Sequence, residues 1–415
     1  MVLVHRQVII VGAGIAGLWT LRRLVAAGFD AILLEKDSIG AGQTLGSQGI
    51  LHGGVKYGLD GSNREIASKL RTMPPIWLEC LAGKREPSLL SAHTLSPCQH
   101  LWAADSWLAK VGATVGVRAM QGDVQKLDLE SWPSALRNGG HKGSVYELKE
   151  TVIEVKSVLA ALAEPVRDRI FQAGVDDLEA VEGGGIKAII SGSVRLTADV
   201  ILFMAATGNE AAAEAAGFGK AATQRRPLKQ VMVRGHLPHL YGHCVTATPK
   251  PVVTITSHPL GEDTVWYLGG GVAEDAANLG NTDAIRNAIK KLGGVFPKFT
   301  WEGLQWSCWS VDRAEPNAAS RLPDGPALLE QGATGLAWPA KLVYAPELAD
   351  QALRFVSRHT QPNAGQGPIE EGQHSVDPFP AAGGQNVRPP QAAPVPLPLA
   401  EIGKYPWETA GWQTF

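Results

Sequence analysis

At 415 residues the chain exceeds one compact core and has room for two domains. Hydrophobic residues make up 45% and charged residues 19%, which excludes a disordered protein, and a formal net charge of −2 gives no electrostatic footing for nucleic acid. Cys80, Cys98, Cys244 and Cys308 form no CxxC pair, so neither a zinc site nor a disulfide framework is expected, no metal is assigned, and a reducing cytoplasm fits.

Met1–Val11 is apolar but short, and it runs into glycines rather than a small-residue cleavage site. No apolar run reaches the roughly 18–20 residues of a transmembrane helix. A cytoplasmic protein is therefore expected, with peripheral membrane contact still compatible. Gln7–Val11 reads as a buried parallel strand, Ile15–Ala27 as a helix with Leu18, Leu21, Leu24 and Val25 on one face, and Ala31–Leu34 as a second strand. Ser62-Asn63-Arg64-Glu65 has capping-box spacing and predicts a helix that stops before Pro74-Pro75. Residues 85–145 give no clear periodicity. Next come a helix from Ser157 to Glu164 and strands at Arg169–Phe171, Lys187–Ile190 and Val200–Met204. Val231–Val233, Val252–Ile255, Val265–Leu268 and Trp301–Val311 read as strands of an antiparallel sheet, with one amphipathic helix from an Asn281/Thr282 cap to Gly293-Gly294. After His359 the composition turns Pro-, Gly- and Gln-rich, as in a linker or tail.

Gly12-Ala13-Gly14-Ile15-Ala16-Gly17 is a G-x-G-x-x-G sequence between a predicted strand and helix, and Glu35 closes the next strand 18 residues after Gly17. In that order each residue has a task. Gly12 allows the turn, Gly14 lets the backbone approach a pyrophosphate, and Gly17 lets the helix pack closely on the strand. The helix start, with Ile15 and Ala16, favours phosphate charge, and Glu35, followed by Lys36, accepts from an unphosphorylated ribose. The motif implies a dinucleotide without choosing between FAD and NAD.

Gly40–Gly54, and above all Ser47-Gln48-Gly49-Ile50-Leu51-His52-Gly53-Gly54, resembles the second FAD segment of the D-amino-acid-oxidase-like flavoproteins, a superfamily that includes glycine oxidase, sarcosine oxidase, glycerol-3-phosphate dehydrogenase and L-2-hydroxyglutarate dehydrogenase. Asp199–Gly208 resembles the segment returning under the adenine half of FAD, and Gly335–Pro346 the segment entering the last helix beside the flavin pyrimidine. The likeness spans residue 5 to about residue 358. It implies an α/β fold in which a Rossmann-like FAD-binding domain (1–75, 150–215 and 325–358) is interleaved with an α+β substrate domain on an antiparallel sheet (76–149 and 216–324), followed by a Pro-rich tail (359–415). Thr44, Ser47, Gln48, Gly49 and Ile50, then Ala206, Thr207 and Gly208, and finally Lys341, Leu342 and Val343 would join the fingerprint in holding FAD. The sequence departs from its relatives at Trp338-Pro339-Ala340-Lys341, where they often carry a glycine-rich loop. The usual Arg-Pro pairing near Asp-Gly is split between Arg313 and Arg321.

The resemblance implies hydride transfer from a carbon bearing oxygen or nitrogen to flavin N5. His52 is the leading candidate for a base or hydrogen-bond partner at the flavin, since an imidazole titrates near working pH. Arg313, and after it Arg321, suits a substrate carboxylate or phosphate, although pairing with Asp312 or Glu315 would occupy it. Lys341 is expected near N5 or the N1–C2 carbonyl, with Tyr57 and Tyr344 beside the pocket. Trp266, Trp301, Trp306 and Trp309 are assigned to packing, and His243 and His258 are weaker candidates for the polar group at the flavin, a lone histidine in that domain being more often structural. The function expected is oxidation of a small substrate at a CH–OH carbon, a 2-hydroxy acid or polyol phosphate, with oxygen or a quinone as acceptor. The alternatives are an amine or amino-acid oxidase, an NAD dehydrogenase sharing only the opening unit, and a non-catalytic flavin-binding protein. An oligomer is compatible with all of them.

Overall fold

The β-branched opening run becomes β1 (Val2–Val11), which is longer than its apolar stretch because Val2–Arg6 also pair, in parallel, with Val194–Ala198. The structure is a computed structural model that describes residues 1–54, 69–103, 124–246, 250–317, 325–363 and 394–415. Parallel neighbours flank β1: Val194–Phe203 on one side and β2 (Ala31–Glu35) on the other. Val8, Ile9 and Ile10 are fully buried, as expected for a strand covered on both faces. Helix α1 (Ile15–Ala26) packs its Leu18, Leu21 and Leu24 onto this sheet beside the C-terminal helix Ala345–His359, and Arg23 ties the two helices through Asp350 at 2.8 Å. The sheet runs Ala327–Gln331, Thr334–Trp338, Val194–Phe203, β1, β2 and Ile170–Gln172, with Ile186–Ser191 and Asp177–Ala180 branching off Val194–Phe203.

A second, nine-stranded sheet takes its long strands from Thr223–Gly235, Val253–Leu260, Asp263–Gly269 and Gln305–Pro316. It extends through Gly242–Val245, Gln99–Ala103, Val145–Leu148 and Val124–Lys126, of which Gln99–Ala103 and Val124–Lys126 come from the stretch that shows no periodicity. Its pairings are antiparallel except one: Gly242–Val245 runs parallel to Gln99–Ala103, strands too far apart in the chain to be joined by a hairpin. Trp266 and Trp306 lie fully buried beneath it with Phe296.

Several local expectations shift. The expected Ser157–Glu164 helix is Val155–Ala163, because the Glu154 side chain caps it by accepting from the Ser157 N–H. The helix assigned an Asn281/Thr282 cap spans Asn281–Val295 after Gly280, without a side-chain cap, and runs through Gly293-Gly294. Its buried face of Ala284, Ile285, Ala288, Leu292 and Val295 holds the last turn where propensity would end it. The capping box at Ser62–Glu65 lies outside the described residues. Helical residues 69–71 stop before Pro74-Pro75, as expected, and the two prolines then occupy the first turn of a further helix, Met73–Leu81.

Linker composition does not describe residues 394–415. Gln172 donates its N–H to the Pro398 carbonyl and Ala400 to that of Ile170, while the Ile39 N–H donates to the Glu401 carbonyl and the Gly403 N–H to the Ile39 carbonyl. Gln413–Thr414 adds to the edge of the second sheet. The Tyr405 hydroxyl donates to Glu154 at 2.6 Å and accepts from the Lys156 N–H at 2.8 Å. Trp407, 2% exposed, lies between Tyr405 and His258, with ring centroids 4.2 Å from each. Among the described residues no helix is long and apolar enough to cross a membrane.

Burial under this tail pushes the His258 imidazole down to about 3. The unfolded chain takes up that proton below about pH 6.5 and the folded chain does not, so stability present above pH 6.5 is lost as the pH falls from there toward 3. Between pH 7 and pH 5 the wild type should lose about 2 kcal/mol more in urea unfolding than His258→Gln, at about 1.4 kcal/mol per pH unit. Equal losses would refute this account of the buried histidine.

Candidate active site

Where β1 ends, the chain turns at Gly12, whose φ of +107° a side chain would strain and whose added Cβ would stand 2.5 Å from the Met204 carbonyl oxygen. A Cβ at Gly17 would meet the Gly12 carbonyl oxygen at 1.9 Å, so the helix can begin this close to the turn only with glycine there. Gly12, Gly14, Ile15 and Ala16 thereby form one wall of a 560 Å³ cavity, and Gly17 lies beneath that wall rather than on it. The volume falls in the range of small-molecule and cofactor sites. Glu35, Lys36 and Thr44 also line it.

The Glu35 carboxylate accepts from the Ala13 N–H at 2.8 Å through one oxygen and from the Asp37 N–H at 3.0 Å through the other. Burial pushes the carboxyl up against those two backbone bonds. Each oxygen keeps a lone pair for a further donor. Thr44 Oγ1 accepts from the Ile15 N–H at 3.1 Å, so the second segment closes the first turn of α1.

Ala206, Thr207 and Gly208 also line this cavity, on a 3₁₀ turn after strand Val194–Phe203 rather than on the strand itself. Asn209, fully buried, accepts from the Ala205 N–H at 2.8 Å and donates to the Ala337 carbonyl at 3.0 Å, fastening the turn to the C-terminal segment. Sequence reasoning missed Asn209, which follows the turn without any motif to mark it. Trp309, assigned to packing, does pack against the first core and also lines the large cavity, with its ring against Gly46. Trp266 and Trp306 are core.

A second cavity of 290 Å³ adjoins the first across Ile15, Gln43, Thr44 and Pro339. Ser47, Gln48, Gly49, Ile50 and His52 form one side, Gln230 and Arg313 of the second sheet another, and Lys341, Leu342 and Val343 a third. His52, Arg313 and Lys341, far apart in the chain, thus share one cavity. Gln48 donates to the Thr254 and Tyr267 carbonyls at 3.1 and 3.0 Å and braces the segment against the second sheet. Arg313 Nη2 lies 3.7 Å from Glu274. Of the neighbouring acids, Asp312 pairs with Arg225 and Glu315 with Arg226, each at 3.3 Å. Arg321 and Tyr57 lie outside the described residues.

In the Trp338–Lys341 departure, Ala340 has a φ of +58°, the left-handed region that glycine favours, so this chain keeps a glycine-type turn without the glycine. Lys341 follows, its Nζ 5.7 Å from the Tyr344 ring centroid. His52 Nδ1 stands 3.3 Å from Glu150, a residue in sequence that carries no motif.

Two observations test whether FAD suits these walls. The glycine cradle leaves no room for side chains where a pyrophosphate would approach the helix start. In the adjoining cavity the Ser47 hydroxyl and the Gln230 amide oxygen are buried with no hydrogen-bond partner among the described residues, polar atoms a flavin ring system can satisfy. The residues fit. A family model described as FAD dependent oxidoreductase matches residues 7–337.

The chain belongs to the FAD-dependent oxidoreductase family.

Its cofactor is FAD. This flavoenzyme is 37% identical over 349 residues to a probable FAD-dependent oxidoreductase of Pseudomonas aeruginosa, covering 83% of this chain and 89% of the relative. The crystal structure of an FAD-dependent oxidoreductase from that organism superposes with a TM-score of 0.76 at 32% identity, with 98% of each chain covered. L-α-glycerophosphate oxidase from Mycoplasma pneumoniae, solved with FAD bound, shares the fold at a TM-score of 0.62 and 15% identity, covering 88% of this chain and 97% of that one. Glycine oxidase from Geobacillus kaustophilus does so at 0.58 and 15%, covering 86% and 96%.

Proposed function

We propose that this FAD-dependent oxidoreductase oxidises a small anionic substrate, a 2-hydroxy acid or a polyol phosphate, at a CH–OH carbon in the 290 Å³ cavity. The observation that carries the reading is the convergence of His52, Arg313 and Lys341 on that cavity. On this reading Gly12, Gly14, Ile15 and Ala16 hold the cofactor pyrophosphate, Glu35 and Lys36 its ribose end, and Ala206–Gly208 its adenine half. Thr44, Ser47–Ile50 and Lys341–Val343 border the ring system. Residues 1–75, 150–215 and 325–358 make up the cofactor domain, and 76–149 with 216–324 the substrate domain.

When bound, FAD supplies the hydride acceptor at N5. Arg313 grips the substrate carboxylate or phosphate and orients the C–H bond. His52 takes the hydroxyl proton, and the alcohol leaves as a carbonyl compound. Lys341 places positive charge where negative charge accumulates. Oxygen or a quinone then removes the electrons.

The test is anaerobic titration of the purified yellow protein with 2-hydroxy acids, glycerol 3-phosphate and small amino acids, followed by visible absorption. Bleaching by a hydroxy acid or glycerol 3-phosphate supports the reading. Bleaching by amino acids alone would replace it with CH–NH oxidation, and bound FAD that none of these compounds reduces would rule out this substrate class.

A further inference from the structure

Behind His52 lies a polar cluster that the substrate cavity does not need for its shape. Glu150, 3% exposed, reaches His52 from the chain just before Val152, which bridges to Ile50, while the Leu51 N–H donates to the Thr151 carbonyl at 2.9 Å. One Glu150 oxygen accepts from the Gly53 N–H at 2.8 Å. The other accepts from Gln99 Nε2 at 3.0 Å and stands 3.3 Å from His52 Nδ1. Gln99 is fully buried and belongs to the second sheet, so that sheet and the Gly49–Gly54 segment together hold this carboxylate in place. The His243 ring stacks on His52 with centroids 5.7 Å apart, and its Nδ1 pairs with Thr254 Oγ1 at 2.8 Å.

A carboxylate only accepts hydrogen bonds, so the imidazole nitrogen facing it carries the proton. We infer that Glu150 is the positioning residue for His52: the contact between Glu150 Oε2 and His52 Nδ1 fixes the Nδ1–H tautomer and leaves Nε2 as the proton acceptor. This deepens the proposed CH–OH oxidation and rests on it for its catalytic consequence, because an alcohol needs a base and an amine arriving unprotonated does not. The hydroxyl proton goes to Nε2, and the imidazolium so formed lies beside a buried carboxylate that offsets its charge. A carboxylate that served only to latch the Gly53 N–H would have no effect on the tautomer.

The test uses the full-length holoenzyme labelled with ¹⁵N-histidine, with His52→Gln to assign the His52 signals. Long-range ¹H–¹⁵N correlation of the wild type should show His52 protonated at Nδ1, and Glu150→Gln should move it toward the Nε2–H form. With the compound that bleaches the flavin, Glu150→Gln should slow flavin reduction about 10- to 100-fold, leave the half-saturating concentration unchanged, and recover partly in Glu150→Asp. Nε2–H protonation in the wild type, or an unchanged tautomer and rate in Glu150→Gln, overturns the inference. Since His52, Glu150 and His243 also bring ligand-type atoms within 4.8 Å of one another, a stoichiometric metal bound through His52 Nδ1 would displace that proton and overturn it too. If Glu150→Gln does not hold FAD, the wild-type tautomer and Glu150→Asp decide the question. The tautomer needs no substrate, so failure of every panel compound defeats the proposed function without deciding this one.

Discussion

Gly12→Ala should purify largely without yellow colour, binding added FAD about 100-fold more weakly than the wild type. The methyl group would sit in a backbone conformation of φ +107° and press on the Met204 carbonyl and Ala205, 2.5 and 2.8 Å away. Neither neighbour is the end of a flexible side chain, and both line the cavity that the fingerprint opens onto. Strain and overpacking each cost about 1–3 kcal/mol. Because every 1.4 kcal/mol is a tenfold change in affinity, displacement of the cradle by about 3 kcal/mol gives the loss stated. The ratio of flavin to protein absorbance and a fluorescence titration with FAD measure it. Full colour and wild-type affinity would show that the turn does not shape the cofactor site.

His52→Gln should keep FAD and a near-native melting temperature but slow reduction by the substrate about 10²- to 10⁴-fold, the usual contribution of a general base. The substitution keeps a hydrogen-bonding side chain at a half-buried position, so the fold has little to lose. Stopped-flow reduction under anaerobic conditions reads the rate, and substrate-dependent perturbation of the flavin spectrum reads binding. A rate within a few-fold of the wild type would remove the base and shift the reading toward CH–NH chemistry. A colourless protein would instead place His52 in cofactor retention.

Local pattern made part of this site legible. A strand covered on both faces, a helical stripe and a glycine turn are short-range signals, and β1, α1 and β2 formed where those signals lie. The cavity-lining residues Ser47–Ile50, His52 and Lys341–Val343 were visible only as a resemblance, since their spacing carries no periodicity. Glu150, Asn209 and Trp309 had no signal of either kind. Glu150 contacts His52, almost a hundred positions away, and Asn209 the Ala337 carbonyl, on the strand paired beside Val194–Phe203. Composition was misleading at residues 394–415, where a few aromatic side chains outweigh a Pro-rich approach: Trp407 and Tyr405 bury against His258 and fasten the tail.

By itself the sequence determined the glycine turn, the helix start and the acid at Glu35, because all three lie within one βαβ unit and follow from local pattern. Only the tertiary structure decided which distant residues share the second cavity. His52, Arg313 and Lys341 come from three segments, and whether they face one cavity depends on how the second sheet packs against the first. The physical reason is range: backbone conformation and helical faces follow from neighbouring residues, whereas the convergence of charged side chains is a property of the packed whole.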